Sequence, residues 1–398
     1  MIKEKKLLMF GAGKIGRSFI AQLFSRSGFE VVFVDIDERV INALNSQKEY
    51  EIIIKDTKTY NLVIRNVRGV LATNEEDVIK EIETTQLIAV SVGVKGLEKI
   101  APLLAKGLWN KYKLYPNSFT DIIIAENLRK ADQYLKEQIK ACIDSDFPID
   151  QFVGFVETSI GKMVPIMESS ITRIDPLLVY AEEYNTLILD QKAFLNPVPQ
   201  VKGLAPKLNM KAWVDRKLFI HNLGHAITAF LGAQISPEKR YLYEILEDKG
   251  TCDTVRAGMT EAANVLLMLY PNEFTFKKLS DHIEDLINRF KNRALGDTVF
   301  RVGADLPRKL SYNDRLVAPL RIAFENNMPY QNILKGIDAA MHFQAENENG
   351  SSLPGDELYL KEYKTKGSSY VLKKYSDLNP LRYLDLFEEV QNMEKRIS

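Results

Sequence analysis

The sequence predicts an α/β protein, a Rossmann-type doubly wound parallel sheet followed by a second, all-helical C-terminal domain. Three observations predict it. Short, nearly continuous apolar runs rich in β-branched residues alternate with helical patterns through the first half, as strands buried on both faces of a parallel sheet do. A G-x-G-x-x-G stands directly between the first such run and the first helix. Beyond about residue 206 the apolar spacing is helical almost to the end.

In order, "KKLLMFG" is a strand, a helix follows to about Ser27, and "FEVVFVD" is the second strand. "YEIIIKD" and "YNLVIRNV" flank "TKT" and read as a hairpin inserted into the doubly wound pattern. "QLIAVSVG" and "TDIIIAEN" are strands joined by the helical "KGLEKIAPLLAKGLW". "QFVGFVETS", "PLLVYAEEY" and "TLILDQ" add strand-like material up to about residue 194. Three prolines and a glycine in "LNPVPQVKGLAP", 195 to 206, mark a connector, so the expected domains are 1–200 and 201–398. Helices are expected over 210–234, 238–270, 276–294, 313–326 and 331–345, with "AENENGSSLPGDE" a polar loop and a closing helix around "LRYLDLFEEVQNMEKR".

The 398 residues, 45% of them hydrophobic, suffice for two domains of ordinary size. Lys plus Arg and Asp plus Glu both number 53, so no global field draws the chain to nucleic acid or to an anionic membrane. The two cysteines, Cys142 and Cys252, lie far apart without metal-ligand spacing, which argues against a disulfide framework or a zinc site and for a reducing cytoplasm. The apolar run at the start is too short for a signal peptide, and no segment reaches the roughly 18 to 20 apolar residues of a membrane span.

The glycine loop is Gly11-Ala12-Gly13-Lys14-Ile15-Gly16. Its first glycine permits the tight turn, its second lets a pyrophosphate approach the backbone, and its third lets helix and strand pack closely. The free amides of the helix start then face the phosphates. Asp35 ends the second strand about 20 residues on, placed to bind the adenosine ribose hydroxyls and to repel a 2′-phosphate, which favours NAD. Arg39 is near enough to leave NADP open. Two further strand ends, Val92-Gly93 and Glu126-Asn127, fall where such sheets take the nicotinamide half and the substrate.

The helical segment "DRKLFIHNLGHAITAF", 215 to 230, carries Lys217, His221, Asn222 and His225 among apolar residues. On a regular helix Asn222 lies about 140° and His225 about 80° from Lys217, so the three share one half of the surface, and Gly224 leaves space for a ligand there. Lys217 serves as a general base only if burial or a nearby cation lowers its amine from about 10.4. Spacing alone leaves open that Lys217 reaches solvent and the histidines are core residues, and it does not choose between His221 and His225.

"GAGKIGR", "AENL" at 125–128, "KLFIHNLGHA" at 217–226, "RKLSYNDRL" at 308–316 and "AAMHF" at 339–343 together resemble the polyol-specific long-chain dehydrogenases, in order and over nearly the whole chain. The resemblance implies catalysis without metal on a small polyol or sugar-phosphate substrate, in a monomer or weak dimer. It implies Lys217 as general base, Asn222 and Asn127 as holders of the developing alkoxide, and His225 as the residue that orients the hydroxyl, with His221 a bystander. Arg308, Lys309 and Arg315 are candidate cations for a substrate phosphate, and Glu182 and His342 further pocket candidates. Relatives reduce free polyols or hexuronates, and the same cations suit a carboxylate. A coenzyme-sensing regulator without turnover has no use for Lys217, Asn222 and His225 together. One Y-x-x-x-K, Tyr370 to Lys374, lies near the C-terminus and reads as a chance match.

Overall fold

The structure, a computed structural model, describes residues 3–56, 58–143, 146–165, 167, 173–344, 346–347 and 350–397. The chain divides into two compact units, Met1–Val214 and Asp215–Ser398.

The first unit is built on an eight-stranded sheet. Strands β1 (Lys3–Phe10), β2 (Glu30–Asp35), β5 (Val67–Leu71), β6 (Thr85–Val90), β7 (Thr120–Ile124) and β8 (Val153–Ser159) are all parallel. Their spatial order β5-β2-β1-β6-β7-β8 is that of the dinucleotide-binding fold. In β1, Leu7 and Met9 enter one core and Leu8 and Phe10 the other. The two-residue period thus explains why an unbroken apolar run was needed. The inserted hairpin is present, β3 (Glu49–Lys55) antiparallel to β4 (Thr59–Arg65), and β9 (Val179–Ala181) joins it in a separate three-stranded sheet.

The sequence misplaced two features here. "VRGVL" is a strand of its own, Val67–Leu71, and it breaks the β-branched pattern because Gly69 lies under Ile41 where a side chain does not fit. The expected connector is part of the sheet. β10 (Leu187–Asp190) runs antiparallel to β8, β11 (Leu204–Lys207) runs parallel to β10, and the buried carboxylate of Asp121 holds the amides of Leu195 and Asn196 at 2.8 and 3.1 Å.

The second unit is helical. The segment expected as one helix over 238–270 is two, Leu242–Ile245 and Lys249–Leu269, because Asp248 accepts the Thr251 amide at 2.7 Å and starts the second as its N-cap. "PGDE" is no loop. Pro354 opens the helix Pro354–Lys366, where its missing N–H costs nothing, and Ser368–Ser376 and Leu384–Ile397 follow. Tyr370 and Lys374 sit on that middle helix, both bonded to Glu362 in a surface cluster, which accounts for the Y-x-x-x-K spacing without chemistry. Cys142 and Cys252 are both free thiols, and no helix among the described residues is long and apolar enough to cross a membrane.

One polar cluster spans β1, β2 and β5. Lys6, buried on β1, meets Glu81 at 2.5 Å and Thr84 at 2.7 Å, and Arg68 bridges Glu81 to Glu30. Burial alone pushes the Glu81 carboxyl up, but Arg68 and Lys6 outweigh it and hold it below its ordinary value. Its contribution is therefore present above the unfolded-state value and lost as pH falls through the lower folded one. Glu81→Ala leaves a buried ammonium without its counter-charge. It should cost about 3–5 kcal/mol in urea denaturation, whereas Lys80→Ala, exposed on the same helix, should cost less than about 0.5 kcal/mol.

Candidate active site

The glycine loop lies in the first unit, and its three glycines each have a distinct geometry. Gly11 adopts φ +97°, a turn L-residues rarely make. A Cβ on Gly16 would stand 2.1 Å from the carbonyl oxygen of Gly11, so helix and loop touch there backbone to backbone. A Cβ on Gly13 would meet nothing within 4 Å. That open face is the cradle a pyrophosphate requires. It borders a cavity of about 440 Å³ lined by Ala12, Gly13, Arg17, Asp35, Asp37 and Arg39, with Arg173 and Pro176 on another wall.

Asp35 fixes this loop. Its carboxylate accepts the Ala12 amide at 2.6 Å and the Asp37 amide at 3.0 Å, tying the end of β2 to the glycine turn. The helix start is unusual: Gly16–Ala21 is wound as a π-helix before regular winding resumes over Gln22–Ser25. Ile15 is its N-cap residue. Arg17, missed at the sequence level, is buried and its guanidinium donates to the Pro176 carbonyl. At the next strand ends, Glu126 accepts the amides of both Val92 and Gly93 at 2.7 Å. Burial raises the Glu126 carboxyl, and those two amides oppose the rise. Asn127 is exposed beside it, and Glu182 is buried at the end of β9, taking the Met163 amide.

The helical unit carries its own polar cluster. Met210–Arg216 is α-helical, Lys217–Asn222 is a π-helical turn, and Leu223–Ile235 returns to α. The Leu223 amide reaches the Leu218 carbonyl five residues back. The 100°-per-residue arithmetic therefore fails across the stretch that carries Lys217 and Asn222. π-turns of this kind recur at functional sites, where one extra residue per turn shifts side chains out of α-helical register. Gly224 is not ligand space. A Cβ there would stand 2.5 Å from the sulfur of the fully buried Met259, so the glycine lets this helix close on Lys249–Leu269.

Burial, reinforced by the Arg315 charge, lowers the Lys217 amine to about 8. His225 donates from Nε2 to Asp297 at 2.9 Å and stacks on Phe290 at 4.8 Å between ring centroids. Because Asp297, itself paired with Arg301, only accepts, Nε2 carries the hydrogen and Nδ1 keeps its lone pair. Burial, with Arg301, Arg315, Lys309 and Arg289 around it, lowers His225 to about 3, outweighing the Asp297 contact, so its ring is neutral. His221 is buried against the same Phe290 and is likewise pushed well below its ordinary value, by burial first.

Of the candidate substrate cations, Lys309 and Arg315 are close enough to His225 to act on it, and Arg315 also acts on Lys217. Lys309 is buried, donates to the Ala304 carbonyl, and is lowered to about 7 by burial and then Arg315. Arg315 pairs with Asp314 at 2.7 Å. Arg308 is half-exposed and paired with Asp305. His342 has both ring nitrogens engaged, Nδ1 by the Asp338 carbonyl and Nε2 by the Tyr363 hydroxyl, each at 2.9 Å. Among the described residues no three His, Cys, Asp or Glu side chains converge as metal ligands do.

Sequence profiles of the mannitol dehydrogenase Rossmann domain and of the mannitol dehydrogenase C-terminal domain match residues 5–203 and 209–393. The chain belongs to the mannitol dehydrogenase family. The fold of this family member is also that of a D-sorbitol dehydrogenase, with a TM-score of 0.83 at 17% identity over 100% of this chain and 93% of that one. A Pseudomonas fluorescens mannitol 2-dehydrogenase solved with NAD and D-mannitol superposes at 0.69, with 14% identity over 99% and 95%. An octopine dehydrogenase reaches 0.51 at 13% identity over 92% and 97%. At these identities the likeness is one of fold.

The two glycines part company in mutation. Gly13→Ala should leave the melting temperature within about 1 °C, since the added methyl meets only open space, and weaken NADH binding at least about tenfold. Gly224→Ala should lower stability by a net 1 kcal/mol or so, overpacking of about 1–3 kcal/mol against Met259 exceeding the helix-propensity gain of about 1 kcal/mol.

Proposed function

We propose that this polyol dehydrogenase interconverts mannitol 1-phosphate and fructose 6-phosphate. The coenzyme is NAD, for which the Gly11–Gly16 loop, the open face of Gly13 and the Asp35 carboxylate provide the phosphate and ribose contacts. When bound, it takes the hydride from the carbinol carbon or returns one to the ketone. The member of the polyol-specific long-chain group that the sequence resembles most is mannitol-1-phosphate 5-dehydrogenase.

The observation that carries the reading is the Lys217 amine, lowered to about 8. An amine at that value is unprotonated in part near neutrality, so it can accept a proton and give it back, as a general acid–base must. In oxidation the neutral Lys217 takes the hydroxyl proton as the C–H bond gives up its hydride. In reduction the Lys217 ammonium protonates the nascent alkoxide. Asn222 and Asn127 donate amide N–H groups to the oxygen as charge develops on it. His225, neutral and with its Nδ1 lone pair free of the Asp297 bond, accepts from a substrate hydroxyl and so orients it. A lysine base with amide donors does the work that a metal ion does in other alcohol dehydrogenases.

Phosphate recognition is supported by Lys309, which is buried, and Arg315, which is half-buried, both near enough to act on His225. An arriving dianion raises the Lys309 amine from about 7 and fixes its charge.

Lys217→Met should lower kcat by about 10²–10⁴ while NADH still quenches protein fluorescence at a similar concentration. For the native protein, kcat for polyol oxidation, read with substrate bound so that Lys309 keeps its proton, should rise with pH through about 8 and level off above it, because only the deprotonated amine is the base; kcat for ketone reduction should fall above about 8. Unchanged turnover in the variant removes Lys217 from the mechanism. A panel of fructose 6-phosphate, fructose, fructuronate and tagaturonate with NADH tests the substrate: activity on fructose with none on fructose 6-phosphate overturns the phosphate reading.

A further inference from the structure

The coenzyme cavity carries both of the devices by which such folds discriminate at the adenosine ribose. An acidic side chain at the end of the second strand takes the 2′-hydroxyl, and a nearby arginine accommodates a 2′-phosphate. Asp35 is the acid, and Arg39 lines the same cavity. Between them stands Asp37, which also lines it.

Asp37 is held on several sides. Its amide donates to Asp35 at 3.0 Å. Its own Oδ1 accepts the amides of Arg39 and Val40 at 3.0 and 3.4 Å, as the N-cap of the helix Glu38–Gln47. Its Oδ2 meets the Arg39 guanidinium at 3.1 Å. An exposed ion pair is weak by itself, and a phosphate easily competes for one partner of it. This one differs because its carboxylate cannot swing away: the cap bonds and the positive end of the helix fix it in place. Arg39 is thus given a permanent counter-charge at the mouth of the ribose site, and any 2′-phosphate meets two carboxylates rather than one.

Building on the NAD reading above, we propose that Asp37 is a second determinant of coenzyme choice, holding Arg39 in an ion pair and so denying it to the 2′-phosphate of NADP. Removing Asp35 alone then leaves the arginine still neutralised. Removing both acids releases it.

The test compares the native protein with Asp35→Ser, with Asp35→Ser/Asp37→Ser, and with the double variant carrying Arg39→Ala, in the full-length chain. Serine is chosen at 37 because it keeps a helix cap while losing the charge, and Asp37→Asn in the same background serves should the serine variant fail to fold. NADH and NADPH binding are read by fluorescence, and kcat/KM with each coenzyme by turnover. The expected result is that Asp35→Ser weakens NADH with little gain for NADPH. The double variant should bind NADPH at least tenfold more tightly than Asp35→Ser does, and Arg39→Ala should abolish that gain. NADPH affinity in Asp35→Ser equal to that in the double variant overturns the proposal, as does a gain that survives Arg39→Ala. If the native protein binds neither dinucleotide, it is the NAD reading that fails, a result distinguishable from either of these.

Discussion

A lysine amine takes part in proton transfer near neutral pH only where burial or a neighbouring cation lowers it, and the helical unit does both at Lys217. The residues that follow it, Leu218, Phe219 and Ile220, are all buried, so the polypeptide carrying the amine is anchored in a dry core. The Arg315 cation presses on the amine in the same direction as burial. Gly224 lets the neighbouring helix approach until Met259 fills the space, and Phe290 stacks on the adjacent His225. Loosening any of these contacts admits water, and water restores the ordinary basicity of a lysine.

The first unit solves a different problem, the binding of an extended dianionic coenzyme by backbone amides. Amides bind a phosphate only if they are unspent and aimed together. The tight turn at Gly11, the Asp35 carboxylate on the Ala12 amide and the close contact of Gly16 with Gly11 together set that aim. Asp35, proposed above as the ribose ligand, is thus also a structural tie within the protein. The same economy appears at Glu126, whose single oxygen gathers the Val92 and Gly93 amides at the start of the helix Val94–Leu114 and so shapes the loop after β6.

Much of this was legible in the sequence because it rests on local rules. The strand alternation, the inserted hairpin and the glycine loop follow from periodicity and backbone freedom over a few residues, and the structure contains all three. The strand Val67–Leu71 was hidden because its glycine answers a distant residue, Ile41. The opening of the helix at Pro354 was hidden by polar residues that read as loop, although proline in the first turn is itself a start signal. In the site, Lys217, Asn222 and His225 are marked by being polar on an apolar helix. Asp297 and Arg301, which set the tautomer of His225, lie more than seventy residues away in the chain and carry no local sign of that role. The π-turn at Lys217–Asn222 was equally invisible, since apolar spacing at i+3 and i+4 looks the same whether or not one residue is added to a turn.

The ionisable groups of the helical unit separate into distinct classes, and that separation decides which of them chemistry near neutrality has to work with. Histidine is the ordinary source of a charge change near neutrality, yet His225 is lowered to about 3 and His221 is well below its usual value. Both are therefore neutral hydrogen-bonding groups throughout the range in which an enzyme of this kind operates. The lysines have moved into the vacated range, Lys217 to about 8 and Lys309 to about 7. The cause is shared: burial disfavours the cation in each case, and it lowers a lysine from far above neutrality and a histidine from just below it. One dry, positively charged environment thus switches the histidines off as acids and switches the lysines on. The division of labour proposed for Lys217, as proton acceptor, and His225, as a fixed hydroxyl ligand, rests on that environment rather than on the intrinsic chemistry of either side chain.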